Sequence, residues 1–417
     1  MQPNIVPNRR RETLLLLFSI FGILVLAGRG VYLAFRGYTS FDPATITAQS
    51  SNLFDSIGMF FCACLLLPLL IYCIKKLKGL EIRPSKLPPP KFWQVAAALG
   101  IWVLAIILGS ILNNLPTYGW VMALPFYLLG IALPVAVLAW IAIGGIPSGS
   151  RRRLWAAFDI GMIGSTLGAV LLEYSLVGIA ALAIGILVAS NPEWRAVFQQ
   201  IRDQITRGGD IQNLLTTLAP YLTNPLVLLL ALAFAAVFAP IIEETLKPAA
   251  VWLLGKRMRS PAEGFALGGL CGAGFALLEG TLAASGNSQM LGVGIAARAA
   301  SSLMHITASG LMGWGIASAH LEKRYGRLGG AYLLSVSIHG LWNGSVVLAV
   351  FGALRLSLPG AGSDFLGILL VGMGIGILGS MLLAITILLP VINRRLRFVP
   401  PVAGTPTQSD IIAPPLP

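Results

Sequence analysis

Apolar runs long enough to cross a ~30 Å hydrocarbon core as a helix recur along the whole chain. Inside lipid each such segment must satisfy its own backbone N–H and C=O groups, so its options shrink to helices or a closed barrel. The chain has 417 residues, of which 56% are hydrophobic and 11% are charged. Soluble domains carry about 25% charged residues, which excludes a soluble multidomain protein, and the low charge with high apolarity excludes disorder. The pattern predicts an all-α, polytopic integral membrane protein. Ten candidate spans cover residues 13–35, 53–74, 93–113, 118–143, 160–189, 224–254, 262–284, 293–319, 330–351 and 365–390.

The formal charge of +13 would suggest nucleic acid in a soluble protein, but here the position of the charges carries the information. Arg9 to Arg11, Lys75 to Lys91, Arg151 to Arg153, Lys256 to Arg259, Lys323 to Arg327 and Arg394 to Arg397 fall in every second connection. The positive-inside rule then predicts ten spans with the N-terminus and C-terminus both cytoplasmic, a bilayer as the partner of the basic ends, and no nucleic-acid partner. The stretch after Arg11 is too long for a secretory signal and lacks a small-residue cleavage site, so it is read as a retained span. Cys62, Cys64, Cys73 and Cys271 lie inside apolar runs and are expected to be small core residues. Asp55 and Asp159 are expected near span ends, within reach of water.

Residues 1–189 form a five-helix membrane region with no readable role. Residues 190–222 form an extracytoplasmic segment. There Asn191 and Pro192 start a helix, and Trp194, Val197, Phe198, Ile201 and Ile205 recur at helical spacing, the mark of an amphipathic surface helix. Residues 223–351 contain the spans with internal charge, 352–398 a last span with a basic end, and 399–417 a Pro-rich tail expected to be disordered.

Ionisable groups inside spans are costly and by default mark function. They are concentrated in four consecutive spans. The sixth carries Glu243, Glu244 and Lys247, followed at once by Pro248. The seventh carries Glu279, four residues after Phe275; the eighth carries Arg298 and His305; the ninth carries His339 and Asn343, four apart. Glu243 and Lys247 at i and i+4 share a helix face, and the proline deprives the Glu244 carbonyl of its helical partner. At ~1.5 Å per residue from the cytoplasmic ends, Glu243, Glu279, His305 and His339 lie about 18, 27, 22 and 15 Å deep, consistent with one cluster. Three carboxylates against Lys247 and Arg298 leave one negative charge with both histidines neutral. Such a cluster takes a shared proton, giving a general acid/base pair, or a divalent cation that activates water. No HExxH spacing is present.

EExxK, FxxxE, an arginine-preceded histidine and HGLWN in successive spans resemble the PrsW family of intramembrane proteases, which is related to the CAAX prenyl endopeptidase and abortive-infection protease group. The resemblance covers roughly residues 235–350. It implies an intramembrane endopeptidase, glutamic-type or metal-dependent, that hydrolyses membrane-anchored protein substrates at a bacterial plasma membrane in site-1 type regulated proteolysis. It implies that Glu243 and Glu244 activate water, that His305 and His339 position it or polarise the scissile carbonyl, and that Asn343 donates to the oxyanion. Lys247, Glu279 and Arg298 would support them. Glu243, Glu279, His305 and His339 are the candidate ligands if a divalent metal such as zinc is required. A proton- or metal-coupled transporter would also bury Glu and His at mid-membrane, but no inverted repeat is seen. A non-catalytic scaffold could keep such a cluster for helix association.

Overall fold

A computed structural model describes residues 9–39, 46–82, 87–115, 119–206, 224–283, 291–358 and 364–398. These residues are helical with short connections. The helices are α1 (Arg9–Thr39), α2 (Ile46–Leu65), α3 (Leu67–Leu77), α4 (Phe92–Asn113), α5 (Gly119–Ile143), α6 (Arg151–Asp159), α7 (Thr166–Ser190), α8 (Pro192–Thr206), α9 (Pro225–Leu232), α10 (Ala239–Leu246), α11 (Ala249–Leu254), α12 (Pro261–Ala283), α13 (Leu291–Glu322), α14 (Tyr325–Ser357) and α15 (Phe365–Leu396). Two π-helical turns, Ile160–Ser165 and Ala233–Phe238, interrupt otherwise continuous helices. Nine helices among the described residues are long and apolar enough to cross a membrane. The protein is a multi-pass membrane protein.

The expected eighth span, α13, is 32 residues long, about 48 Å at ~1.5 Å per residue, but it is less apolar than the nine. It can afford polar groups because they are hidden: Ser301, Ser302, His305, Thr307, Ser309 and Ser318 are all buried. The expected second span is broken at Leu66 into α2 and α3, with Pro68 in the first turn of α3. The fifth begins earlier than expected, because Ser150 caps α6 by accepting from the Arg153 N–H at 3.4 Å. Asp159 is therefore over two turns into a helix and fully buried rather than near a wet end. Cys62, Cys73 and Cys271 are buried as expected, whereas Cys64 lies on the outer face of α2 and is exposed.

The chain divides into two units. The first comprises Met1–Thr166, Glu244–Ser335 and Ile385–Pro417. Its centre is α12, 89% of whose apolar window is buried, packed by α13, α5, α6 and the first π-turn. Close approach explains the glycines of α12. A Cβ at Gly268 would sit 2.3 Å from the Ser309 carbonyl oxygen, and one at Gly272 would sit 2.5 Å from that of His305. Small residues let the α12 and α13 backbones touch, as membrane helix pairs require when no hydrophobic effect drives them together. Polar ties complete the packing. The Tyr127 hydroxyl donates to the Thr281 carbonyl at 3.0 Å, and buried Asn393 donates to the carbonyls of Ala142 (2.8 Å) and Gly144 (3.1 Å). At the basic end, Arg152 pairs with Glu12 at 2.9 Å and Arg153 with Glu263, whose other oxygen accepts from the Arg259 N–H at 2.7 Å.

The second unit comprises Leu167–Glu243 and Val336–Ala384. A Cβ at Gly340 would lie 2.3 Å from the Ala236 carbonyl oxygen, so α14 lies directly against the second π-turn. Gly374 faces the Ser345 carbonyl in the same manner, at 2.5 Å for an added Cβ, which seats α15 on α14. Arg355 and Asp364 bridge the connection between those helices at 2.6 Å. The predicted amphipathic helix is α8. The Asn191 side chain accepts from the Glu193 N–H at 2.9 Å, the expected cap.

Candidate active site

In the first unit the charged residues form a chain of contacts that runs from buried Glu244, Lys247 and His305 to partly exposed Glu279 and Arg298. Glu244 and Lys247 are both fully buried, and the Lys247 ammonium donates to Glu244 Oε1 at 2.8 Å. By spacing both Glu243 and Glu244 can reach that lysine, and the ion pair with Glu244 is the i, i+3 one. Lys247 Nζ also lies 2.7 Å from His305 Nδ1 and 4.6 Å from the centre of the Phe275 ring. An ammonium can only donate, so Nδ1 is the acceptor and the imidazole proton belongs on Nε2. Nε2 faces Glu279 Oε2 at 2.9 Å, and the same carboxylate pairs with Arg298 at 2.6 Å. Phe275 closes one side of His305, with ring centres 5.4 Å apart. Low dielectric makes each contact strong and each omission costly.

The break at Pro248 gives this chain its shape. Helical geometry stops at Leu246 and resumes at Ala249, which leaves carbonyls without helical donors in a setting where none should be orphaned. Ser165, at the end of the first π-turn, lies 2.9 Å from the Leu246 oxygen and 3.0 Å from that of Lys247. The Trp252 indole donates to the Thr245 carbonyl at 3.1 Å. The kink was readable from the proline; the hydroxyl that satisfies it was not, because Ser165 is over 80 residues away in sequence.

The second unit holds Glu243, His339 and Asn343. His339 is 1% exposed and Glu243 8%. The Asn343 amide donates to the Ala235 carbonyl at 3.0 Å and lies 3.2 Å from His339 Nε2. The second π-turn is what leaves the Ala235 oxygen available, in keeping with the frequency of such turns at functional sites. Glu243 Oε2 lies 3.8 Å from His339 Nε2, too far for a hydrogen bond. Two ligands of a tetrahedral zinc lie about 3.3 Å apart, so this oxygen and this nitrogen are within about half an ångström of the spacing that one small divalent ion takes. In the first unit Arg298 and Glu279 pair with each other, and Glu279 also meets His305.

A family model for PrsW family intramembrane metalloproteases matches residues 149–373, more than half of the chain. The chain belongs to the PrsW family. The match extends well before residue 235, so α6, α7 and α8 are part of the PrsW region along with the charged helices. No curated protein and no solved structure matches the chain. PrsW membership makes it a membrane peptidase, a hydrolase whose substrates are proteins embedded in a lipid bilayer.

Proposed function

We propose that Glu243, Glu244, His305, His339 and Asn343 serve one intramembrane endopeptidase centre, with Lys247, Glu279 and Arg298 in support. The observation that carries this reading is the pairing of Glu244 with Lys247, both fully buried, at 2.8 Å. A buried carboxylate held by an ammonium has a fixed orientation, which is what a base must have to take a proton from water and return it to the leaving amine. Glu244 is assigned that role. Glu243 and His339 are assigned to hold a divalent ion such as zinc, with His305 and Glu279 as the remaining candidate ligands. When bound, that ion supplies Lewis-acid polarisation and water activation.

Asn343 is assigned to donate to the developing oxyanion, the role the resemblance implies, with its amide anchored by a bond to the Ala235 carbonyl. His305 supports a second, glutamic-type reading: both of its ring nitrogens are engaged, by Lys247 and by Glu279, which suits a positioning group better than a ligand. Membrane-anchored substrates cut in site-1 fashion, in a bacterial plasma membrane with both termini cytoplasmic, complete the proposal.

The test is cleavage of a single-span reporter in proteoliposomes. Glu244→Gln should lower the rate by roughly 10²–10⁴-fold, the worth of a positioned base. Chelation followed by zinc restoration separates the two readings: a reversible loss supports the metal, and full activity in chelator supports the glutamic type. Unchanged cleavage by Glu244→Gln would overturn the assignment of the base.

A further inference from the structure

At the basic end of the first unit, α1, α6, the first π-turn and α11 enclose a cavity of about 570 Å³ that the peptidase reading does not use. Its lining is divided by chemistry. Arg10, Arg11, Arg152, Arg153 and Arg257 supply five guanidiniums. Glu12 pairs with Arg152 and Glu263 with Arg153, while Arg10 and Arg257 add guanidiniums that carry no ion pair among the described residues. The rest of the lining is apolar: Leu14, Phe18, Ala156, Ile160 and Leu253 among others. Leu14 is 59% and Leu253 71% exposed, which leaves the apolar wall open along the helix flanks. A soluble anion needs only the guanidiniums. An apolar groove continuous with an arginine cluster, at the basic end of membrane helices, matches one molecule that is anionic at one end and hydrocarbon at the other.

We propose that this cavity binds one anionic phospholipid, with its phosphate between Arg10 and Arg257 and an acyl chain along Leu14, Phe18 and Leu253. Basic pockets between membrane helices are suited to anionic headgroups, and each basic side chain adds to that attraction. The cavity also adjoins the catalytic unit's kinked backbone. Gly164 lines it next to Ser165, and Ala249 and Ala250 line it just beyond Pro248. Ser165 is the residue that holds the Leu246 and Lys247 carbonyls. An occupant therefore packs against both segments that meet at that hydroxyl and braces the break that positions Glu244 and Lys247. The binding proposal does not depend on the peptidase assignment.

The test is native mass spectrometry of the full-length protein exchanged into equal phosphatidylglycerol and phosphatidylcholine. One phosphatidylglycerol should be retained per chain in preference to phosphatidylcholine. Arg10→Gln and Arg257→Gln leave the Glu12 and Glu263 pairs intact and should each weaken retention roughly fivefold. Gly164→Leu tests the groove independently of charge. A Cβ there meets Ile160 and Phe18 at an ordinary 3.7 Å, so the larger side chain grows into the cavity and should also expel the lipid; unfolding temperatures report whether each variant is folded. Equal retention of the two lipids, or retention of phosphatidylglycerol unchanged by the variants, would overturn the proposal. So would displacement of the lipid by millimolar inorganic phosphate, which would mark a soluble-anion site.

Discussion

Lys247 illustrates how one residue can be essential for stability without touching a substrate. It is fully buried, bonded to Glu244 at 2.8 Å, and 2.7 Å from His305. Removing one partner of a buried pair strands the other charge, at about 3–5 kcal/mol. Lys247→Met should therefore lower thermal stability substantially. Lys247→Met with Glu244→Gln should recover much of that stability, because no lone charge remains, while the double variant stays inactive. Thermal unfolding in detergent, read beside reporter cleavage, checks both parts. Recovery of stability without recovery of activity is the outcome that assigns Glu244 to chemistry. The residue types of this pair were legible in the sequence, but its partners were not: spacing alone allowed Glu243 or Glu244, since both i+3 and i+4 neighbours meet on a helix.

Elements set the geometry of these residues through backbone contact. The Gly272 approach to the His305 carbonyl, 2.5 Å for an added Cβ, fixes how α12 presents Phe275 and Glu279 to α13. Gly272→Val should force the two helices apart at a cost of about 1–3 kcal/mol from overpacking, and should lower cleavage as Glu279 is drawn from His305. Activity retained at full stability would show that the approach is dispensable. The connection between α14 and α15 provides a pH-dependent tie. Arg355 donates to Asp364, as does the Gly367 N–H at 3.1 Å, and these bonds hold the carboxyl below its ordinary value. The folded state thus binds that proton less tightly than the unfolded chain. The stabilisation is fully present above the unfolded carboxylate value of ~3.9 and is lost as pH falls through the lower folded value. Asp364→Asn should flatten the acid limb of a stability profile below the unfolded carboxylate value of ~3.9 and leave the neutral region little changed. An unaltered acid limb in melting scans would remove Asp364 from that tie.

For the whole molecule, the alternation of basic connections predicts that a tag beside Glu193 and a tag at the C-terminus label on opposite sides of the membrane. Labelling on the same side would sink the ten-pass arrangement. The sequence by itself determined the class, because runs of apolar residues without charge have no soluble fold that buries them, and it determined which helices carry chemistry, because ionisable side chains inside such runs need a reason to be there. It also marked Pro248 as a point where a helix loses a backbone bond, although α5 runs on through Pro125 and Pro134 and α15 through Pro390. Other features depended on contacts between residues distant in sequence. Ser165 satisfies carbonyls more than 80 residues away. The Ala235 oxygen that Asn343 uses lies 108 residues before it. Asp159, placed by its sequence position near water, is buried because α6 begins at Arg151 and packs against α12. The least apolar of the long helices, α13, was counted as a span by its length, but only packing explains why its polarity is tolerable: its hydroxyls and His305 are enclosed by protein. Apolarity and proline act locally and can be read one residue at a time. Ion pairs, carbonyl satisfaction and burial depend on what the folded chain brings alongside, which only the tertiary structure specifies.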